Sequence, residues 1–363
     1  MNPQETTLLG SGAAPGTAAF GGRPQAPPAG GAAAVPAMDP TRFGQLSGQI
    51  MAVMNTVIDG KEAPVRIALT VLLAGGHLLL EDVPGVGKTL LAKALARTVD
   101  CSVNRVQFTP DLLPSDITGV SIFNQSARSF EFRPGAIFAN IVIGDEINRA
   151  SAKTQSALLE SMAEHQVSVD GTTYQLPHPF MVVATQNPIE MEGTYPLPEA
   201  QRDRFMARIS LGYPDPRAEE AMLESHQWTN PLDSVQPVVS TGELAAMVAA
   251  VAAVHVAPAV RAYTVALGQA SRSSPQLRLG ASPRALLQLV RAAKAAAALA
   301  GRTFVLPDDV RQLAVPVLAH RILVERAAAS AGLTPASVLT ELLTMVPVPG
   351  APQGRAGRGA RKY

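Results

Sequence analysis

The segment LLLEDVPGVGKTLL, residues 78–91, constrains the fold more than any other part of the chain. Its leading leucines predict a short buried strand, Gly85 and Gly87 predict a turn, and the residues after Thr89 favour a helix. A strand, a glycine-containing loop and a helix in this order bind phosphate, because the loop and the helix start direct backbone N–H groups at an anion. We expect Lys88 to neutralise the β- and γ-phosphates and Thr89 to bind Mg²⁺.

Asp82 departs from the usual pattern of such a loop, G-x-x-x-x-G-K-[ST], which has glycine at this position. An acid repels phosphate unless its side chain points away, so the loop alone does not establish a nucleotide site. The predicted nucleotide-binding residues of this segment are Val83, Pro84, Gly85, Val86, Gly87, Lys88, Thr89 and Leu90.

Composition excludes several classes of protein. The chain has 363 residues, enough for two or three domains, and a net charge of +1, which gives no bulk attraction to nucleic acid or to a membrane. Its single cysteine, Cys101, excludes an internal disulfide and favours a reducing compartment. No apolar run is long enough to span a bilayer and no N-terminal signal is evident, so we expect a cytoplasmic protein.

Composition and periodicity divide the chain into four parts. Residues 1–40 are rich in Gly, Ala and Pro and are predicted to be disordered. Residues 41–214 alternate helices and strands, which predicts an α/β domain with a parallel five-stranded sheet. Residues 215–346 have apolar side chains at helical spacing and predict an all-α domain. Residues 347–363 carry basic residues without an acid and predict a disordered basic tail.

The strands of the sheet are predicted at residues 78–80, 103–109, 137–143, 181–184 and 207–211. An insertion begins near Ser115 and includes a short strand at residues 130–132. A β-hairpin is predicted around the turn Asp170-Gly171, because apolar and polar residues alternate on both sides of it.

Polar groups follow the predicted strands, and ligands of parallel sheets bind at the carboxyl ends of the strands. Lys88 and Thr89 follow the first strand. Asp145 and Glu146 follow the third, where we expect Asp145 to hold Mg²⁺ and Glu146 to polarise the attacking water. Asn187 follows the fourth strand and is a candidate for contacting the γ-phosphate or that water.

Three further residues are candidates for control of the chemistry. Gln107, at the end of the second strand, either restrains Glu146 or is an ordinary polar strand end. Arg204 precedes the fifth strand, on a segment expected to face outward, and Arg284 opens a helix of the all-α domain. An added arginine can raise the rate of phosphoryl transfer by about 10³–10⁵, whereas a surface salt bridge contributes only about 0–1 kcal/mol to stability.

Three segments together resemble the MoxR family of AAA+ ATPases: GDEINRASAKTQSALLESMAEHQV, ATQNPIEMEGTYPLPEAQRDRF and GASPRA. The resemblance covers residues 43–346 and excludes both tails. It implies a P-loop AAA+ sheet flanked by helices and followed by an all-α lid. It implies that Asp145 and Glu146 form the Walker B motif and that Asn187 is the first sensor.

The resemblance also assigns the two arginines and the inserts. It implies that Arg284 is the second sensor, in the lid, and that Arg204 is the finger offered to the neighbouring subunit. Arg202 stands where a leucine is usual, and we take Arg204 as the finger. Ile58 and Gly60 fall where the family holds adenine. The inserts at residues 121–132 and around Asp170-Gly171 match those that line the pore side of the ring.

The function implied by the resemblance is ATP hydrolysis with ATP and Mg²⁺ as cofactors. The family forms a homo-oligomeric, hexameric ring that remodels or matures client proteins, commonly with a partner that carries a von Willebrand factor A domain. Two alternatives remain open. A nucleic-acid-translocating AAA+ motor is disfavoured by the near-zero charge, and an ATP-binding scaffold without turnover is disfavoured by Glu146 and the two arginines.

Overall fold

A computed structural model describes residues 38–188, 195–213, 216, 219–220 and 231–349. The predicted disordered tails lie outside these ranges except for residues 38–40 and 347–349, and so does most of residues 215–230. The described chain opens with two helices, α1 (Pro40–Val57) and α2 (Glu62–Leu73), joined by the predicted turn. None of the described helices is long and apolar enough to cross a membrane.

The α/β part follows in the predicted order. Its elements are β1 (Leu78–Glu81), α3 (Lys88–Thr98), β2 (Val99–Asp100), β3 (Val103–Gln107), α4 (Pro114–Thr118), β4 (Val120–Asn124), β5 (Ser129–Arg133), β6 (Ile141–Asp145), α5 (Ala152–Glu164), β7 (Gln166–Val169), β8 (Thr172–Gln175), β9 (Met181–Gln186), α6 (Glu199–Arg202) and β10 (Ala207–Ile209). Strands β10, β1, β9, β6 and β3 form one parallel sheet in that order, which confirms the predicted five-stranded sheet.

All five strands differ from the prediction at one or both boundaries; the second, for example, ends at Gln107 and not at residue 109. Two of the differences have a visible cause. Strand β6 begins at Ile141, although the apolar run begins at residue 137. The backbone N–H of Ile137 donates instead to the carbonyl oxygen of Ile117 in the insertion (3.1 Å), so the apolarity before β6 reflects a buried loop. The fifth strand ends at Ile209 and not at residue 211, because the N–H group of Leu211 donates to the Asp82 side chain.

Two antiparallel hairpins project from the α/β part. Strands β4 and β5 pair within the insertion, where β5 contains the predicted short strand and β4 was not anticipated. Strands β7 and β8 form the predicted hairpin, with positive φ at Asp170 (50°) and Gly171 (77°), as a tight two-residue turn requires. The rings of Phe132 and Tyr174 stack at 3.9 Å, so the two hairpins contact each other.

The C-terminal part is mainly helical, as predicted. Its elements are β11 (Val239–Ser240), α7 (Thr241–Ala253), α8 (Pro258–Ser273), β12 (Leu277–Leu279), α9 (Pro283–Leu299), α10 (Pro307–Leu318), β13 (Leu323–Val324), α11 (Arg326–Ser330) and α12 (Pro335–Met345). We expected helices throughout, but β12 pairs with β13, and β11 pairs with β2 of the α/β part. These strands have only two or three residues, too few for an alternating pattern to be visible in the sequence.

Among the described residues, the buried apolar side chains form two clusters, one on each face of the sheet. Leu78 and Leu80 of β1 face one cluster and Leu79 faces the other, as expected for successive residues of a strand. The cluster at Leu78 also contains lid-side residues such as Leu289 and Val317. The helical part therefore packs with α1–α3 and leaves the carboxyl edge of the sheet accessible.

Candidate active site

A cavity of about 390 Å³ lies at the carboxyl edge of the sheet, between the phosphate loop and the ends of β3, β6 and β9. It is lined by Pro84, Gly85, Gly87, Lys88, Thr89, Leu90, Arg105, Gln107, Asp145, Glu146, Thr185 and Asn187. All of these residues except Arg105 and Thr185 carry a role predicted from the sequence. The strand ends thus bring together residues that are up to about a hundred positions apart in the chain.

The phosphate loop depends on its two glycines for conformation. Gly85 and Gly87 have φ values of 84° and 93°, a region that side chains rarely adopt. A Cβ atom at either position would meet nothing within 4 Å, so the requirement is conformational and leaves open space beside the loop. Helix α3 begins at Lys88, whose ammonium group donates to the carbonyl oxygens of Asp82, Val83 (3.1 Å) and Gln186 (3.3 Å).

The Asp82 carboxylate points away from the cavity, which removes the conflict between an acid and a phosphate loop. Its Oδ2 atom accepts hydrogen bonds from Ser210 Oγ and from the backbone N–H groups of Leu211 and Gly212, each at 2.7 Å. Partial burial raises the pKa of this carboxyl group, but these bonds and one from Val83 N–H outweigh burial, and the pKa is lowered. Asp82 therefore fastens the phosphate loop to the chain that leaves β10.

A second group of side chains converges on Asp145. Thr89 Oγ1 donates to Asp145 Oδ1 at 3.0 Å, and Thr185 Oγ1 lies 3.4 Å from the same oxygen. Arg105 Nε donates to Oδ2 at 2.7 Å, and the Asp145 side chain is only 5% exposed. A hydroxyl and a carboxylate oxygen this close are suitable ligands for Mg²⁺, a hard cation that usually takes one or two protein ligands and completes its shell with phosphate oxygens and water.

The residues that the structure describes contain no group of three or more His, Cys, Asp and Glu side chains arranged to hold a metal. A divalent cation at Thr89 and Asp145 would therefore need oxygen atoms from a nucleotide. The open loop, the ammonium group of Lys88 and the oxygen atoms of Thr89 and Asp145 fit a nucleoside triphosphate with its metal.

Glu146 has a left-handed backbone, with φ 57° and ψ 51°. This conformation costs a non-glycine residue about 1–3 kcal/mol and is concentrated at functional sites. It is supported by a hydrogen bond from the Glu146 backbone N–H to Thr185 Oγ1 (2.9 Å). The Glu146 side chain accepts from Gln107 Nε2 and from Arg149 Nη1, both at 2.9 Å. Of the two readings of Gln107, the one that requires a contact with Glu146 fits this geometry, whereas the contact with Arg149 was not anticipated.

Asn187 is buried and lines the cavity, and its backbone carbonyl oxygen accepts from Asn148 Nδ2 at 3.3 Å. Arg204 donates from its guanidinium group to the Leu159 carbonyl oxygen in α5. Arg284 is exposed on the first turn of α9. Six residues with predicted roles lie outside the lining of the cavity: Ile58, Gly60, Val83, Val86, Arg204 and Arg284. Their roles stay predictions.

Sequence reasoning missed Arg105 although a signal for it was present. Residues two apart on a strand point to the same side, so the candidate Gln107 implies that Arg105 also faces Asp145 and Glu146. The register confirms this geometry, since Gln107 pairs with Asp145 and Arg105 with Ile143. The same spacing relates Thr185 to the candidate Asn187, and the contact of Thr185 with Asp145 also depends on β9 lying beside β6.

Comparison with known proteins gives matches along most of the chain. Residues 77–207 match the family described as "ATPase family associated with various cellular activities (AAA)", and residues 269–342 match an AAA lid domain. The chain is 46% identical over 304 residues to Uncharacterized protein YeaC of Bacillus subtilis, which covers 84% of this chain and 95% of that protein.

Two further matches support the same family. The chain is 42% identical over 305 residues to Chaperone MoxR1 of Mycobacterium tuberculosis, across 82% of this chain and 80% of that protein. A crystal structure of a protein inferred to be an ATPase, from Cytophaga hutchinsonii, has a TM-score of 0.79 at 38% identity and covers 85% of this chain and 96% of that one. With its parallel sheet, phosphate loop and helical lid, the chain belongs to the MoxR family of AAA+ ATPases.

Proposed function

We propose that this chain hydrolyses ATP in the cavity and uses the energy to remodel or mature client proteins in the cytoplasm. The supporting observation is the position of Glu146, whose carboxylate lines the cavity beside the hydrogen-bonded pair of Thr89 and Asp145. An acid held in a strained backbone next to a phosphate loop fits the role of a general base. A scaffold that only bound ATP would not need this arrangement.

The loop and its neighbours account for substrate binding in this proposal. Lys88 and the N–H groups at the start of α3 bind the β- and γ-phosphates. Thr89 and Asp145 hold Mg²⁺, which when bound neutralises phosphate charge. Arg105 donates to Asp145 Oδ2 and so fixes the orientation of this buried carboxylate.

Glu146 orients the attacking water and accepts its proton. Gln107 and Arg149 fix the carboxylate by hydrogen bonds, so that Glu146 acts only after the contact with Gln107 is exchanged for one with water. Asn187 lines the same cavity and helps to orient the water or the γ-phosphate.

The proposed site is completed by two arginines that lie outside the cavity lining. Arg284 in the lid contacts the nucleotide of its own subunit, and Arg204 reaches the site of the neighbouring subunit in a homo-oligomeric ring, hexameric by family resemblance. Charge stabilisation by such an arginine is worth about 10³–10⁵ in rate. Hydrolysis then depends on assembly.

The client is proposed to meet the insert hairpins. Phe123 and Phe130 are exposed on the β4–β5 hairpin and contact each other edge to face at 5.3 Å. An exposed aromatic pair suits apolar segments of an unfolded protein. By family resemblance, the partner that presents the client carries a von Willebrand factor A domain.

The test is ATP turnover per subunit as a function of protein concentration, with Glu146→Gln as the blank and light scattering as the measure of mass. We expect the rate to rise with concentration as mass increases to that of the ring. A rate that is constant while mass changes would exclude a site completed between subunits. No turnover above the blank, with or without a partner, would exclude the ATPase. Stimulation by single-stranded DNA would favour the motor instead.

A further inference from the structure

The lid contacts the segment that carries the proposed finger arginine at successive points. Residues 199–205, here called the finger segment, comprise α6 and the turn that leads into β10. Arg278 in β12 lies 3.8 Å from the Glu199 carboxylate at the start of this segment. Arg321, in the 3-10 turn after α10, donates to the Phe205 carbonyl oxygen at its end. Both ends of the finger segment are therefore in contact with the lid.

Asp203 makes the central contact of this interface. Ser282 Oγ donates to Asp203 Oδ1 at 3.3 Å, and Arg321 Nε lies 3.6 Å from the same oxygen. Ser282 is also the N-cap of α9, where its Oγ accepts from Ala285 N–H at 3.1 Å. Asp203 is thus bound to the same helix turn that presents Arg284, the residue proposed to contact the nucleotide.

Arg204 follows Asp203 directly but is held from the opposite side. Its guanidinium group donates to the Leu159 carbonyl oxygen in α5, within the α/β part. The finger segment therefore has the lid on one side and α5 on the other. A rotation of α9 relative to α5 must change the geometry of the turn at residues 203–204, because the contacts on both sides cannot be kept at once.

We propose that Asp203 is a positioning residue that transmits the lid position to Arg204 of the same subunit. This inference rests on the proposed function, in which Arg204 acts on the neighbouring site and Arg284 on the nucleotide of its own subunit. Ser282 and Arg321 pull Asp203 with the lid, and Arg204 moves with it. The nucleotide bound by one subunit then sets the hydrolysis rate at the next site around the ring.

A substitution of Asp203 should affect the cavity of the neighbouring subunit and leave the cavity of its own subunit intact. An Asp203→Ala subunit keeps its own cavity, because Asp203 does not line it, but offers a misplaced finger. A Glu146→Gln subunit has an inactive cavity but an intact finger segment. The two variants should therefore complement each other within one ring, as a folding defect or a local active-site defect would not.

The experiment uses rings in which the two variants are co-expressed with different tags and purified through both. We expect pure Asp203→Ala rings to turn over ATP at least fivefold more slowly than wild type, with unchanged affinity for a fluorescent ATP analogue. In mixed rings with Glu146→Gln, turnover per Asp203→Ala subunit should rise at least twofold. Asp203→Asn, which keeps the acceptor for Ser282, gives the same rise at smaller amplitude if the alanine variant is insoluble.

Three controls define the outcome. Asp308 is an exposed acid of the lid that is paired with Arg311. When Asp308→Ala subunits or wild-type subunits are mixed with Glu146→Gln subunits, their turnover per active subunit should not rise. Arg204→Ala with Glu146→Gln should show the rise. A rise for Arg204→Ala but none for the Asp203 variants would overturn the inference alone. No rise for Arg204→Ala, or no protein recovered through both tags, would overturn the finger in trans and the inference with it.

Discussion

The nucleotide cavity and the lid junction, the contact of Ser282 and Arg321 with residues 199–205, both concentrate charged side chains. The two regions differ in how exposed these side chains are to solvent. At the cavity, Asp145 is buried, but the Arg105 side chain beside it is 51% exposed and that of Glu146 34%. At the junction, the Arg321 side chain is only 2% exposed, and burial lowers its pKa to about 10 despite the nearby carboxylate of Asp203. Hydrated groups can exchange partners with a ligand at little cost, whereas dehydrated groups cannot.

The junction also contains a buried histidine. Burial and the neighbouring Arg321 hold the pKa of His320 well below its ordinary value, so this ring stays neutral. His77, at the amino end of β1, is in the same situation, with a pKa lowered to about 3, chiefly by burial. The exposed cavity side chains can therefore exchange their hydrogen-bond partners for a ligand, whereas the buried polar side chains fix the packing of the fold.

The largest expected effect belongs to Arg321→Met. This change leaves the Phe205 carbonyl oxygen and the Gln288 amide oxygen without their guanidinium donor, at roughly 1–3 kcal/mol for a buried acceptor. We expect the free energy of urea unfolding to fall by about 2 kcal/mol or more. Arg311→Met, a change at an exposed arginine of α10, is the control and should stay within about 0.5 kcal/mol of wild type. Equal effects would remove the distinction between buried and exposed cations.

The next effect is the pH dependence due to His77. Its ring donates to the Met162 carbonyl oxygen (3.1 Å) from Nε2 and accepts from Val182 N–H (3.0 Å) at Nδ1. Below pH 6.5 the unfolded chain binds a proton that the native ring does not bind until about pH 3, so stability is lost as pH falls through this range. At pH 5 the loss amounts to about 2 kcal/mol.

His77→Gln tests this sign. The variant removes the titrating group, so the difference in unfolding free energy between pH 7.5 and pH 5.0 should shrink by about 2 kcal/mol. His255→Gln, at an exposed position, should leave the difference unchanged. A pH difference equal to that of wild type in His77→Gln would show that the ring does not resist protonation.

A cavity residue should change turnover and leave stability alone. Glu146→Gln keeps the shape of the side chain but removes the proposed proton acceptor, so we expect hydrolysis at least tenfold slower, or about 1.4 kcal/mol in barrier height. The free energy of unfolding should stay within about 0.5 kcal/mol, and a fluorescent ATP analogue should still bind. Turnover close to wild type would remove Glu146 from the role of base.

The two regions also differ in how much of each could be predicted from the sequence. The cavity was predictable because its residues follow strands, and parallel strands bring their carboxyl ends to one edge. Lys88, Asp145 and Asn187 could be placed from local patterns alone. The junction could not be, since Arg321 contacts a carbonyl group 116 residues away and its partners have no common motif. The contact between the lid and the finger segment depends on how the two parts pack, which no local sequence pattern indicates.

Asp82 combines features of the cavity residues and of the buried junction residues, and its substitution has the smallest expected effect. It belongs to the phosphate loop by sequence, yet its carboxylate makes the buried, fixed contacts typical of the junction. In Asp82→Asn, one carboxylate oxygen is replaced by an amide nitrogen, which cannot accept hydrogen bonds. We therefore expect roughly 1 kcal/mol of destabilisation in thermal unfolding. Affinity for the ATP analogue should change less than about twofold, because the carboxylate faces away from the cavity.

The pH range of this effect follows from the lowered pKa of Asp82. Its stabilisation is present above the ordinary carboxyl pKa and is lost only as pH falls below it, so the difference from wild type should be the same at pH 7 and pH 5. Asp100→Asn, at an exposed acid, is the matched control. If Asp82→Asn instead bound the analogue much more tightly with unchanged stability, the carboxylate would be repelling phosphate, and Asp82 would belong with the cavity.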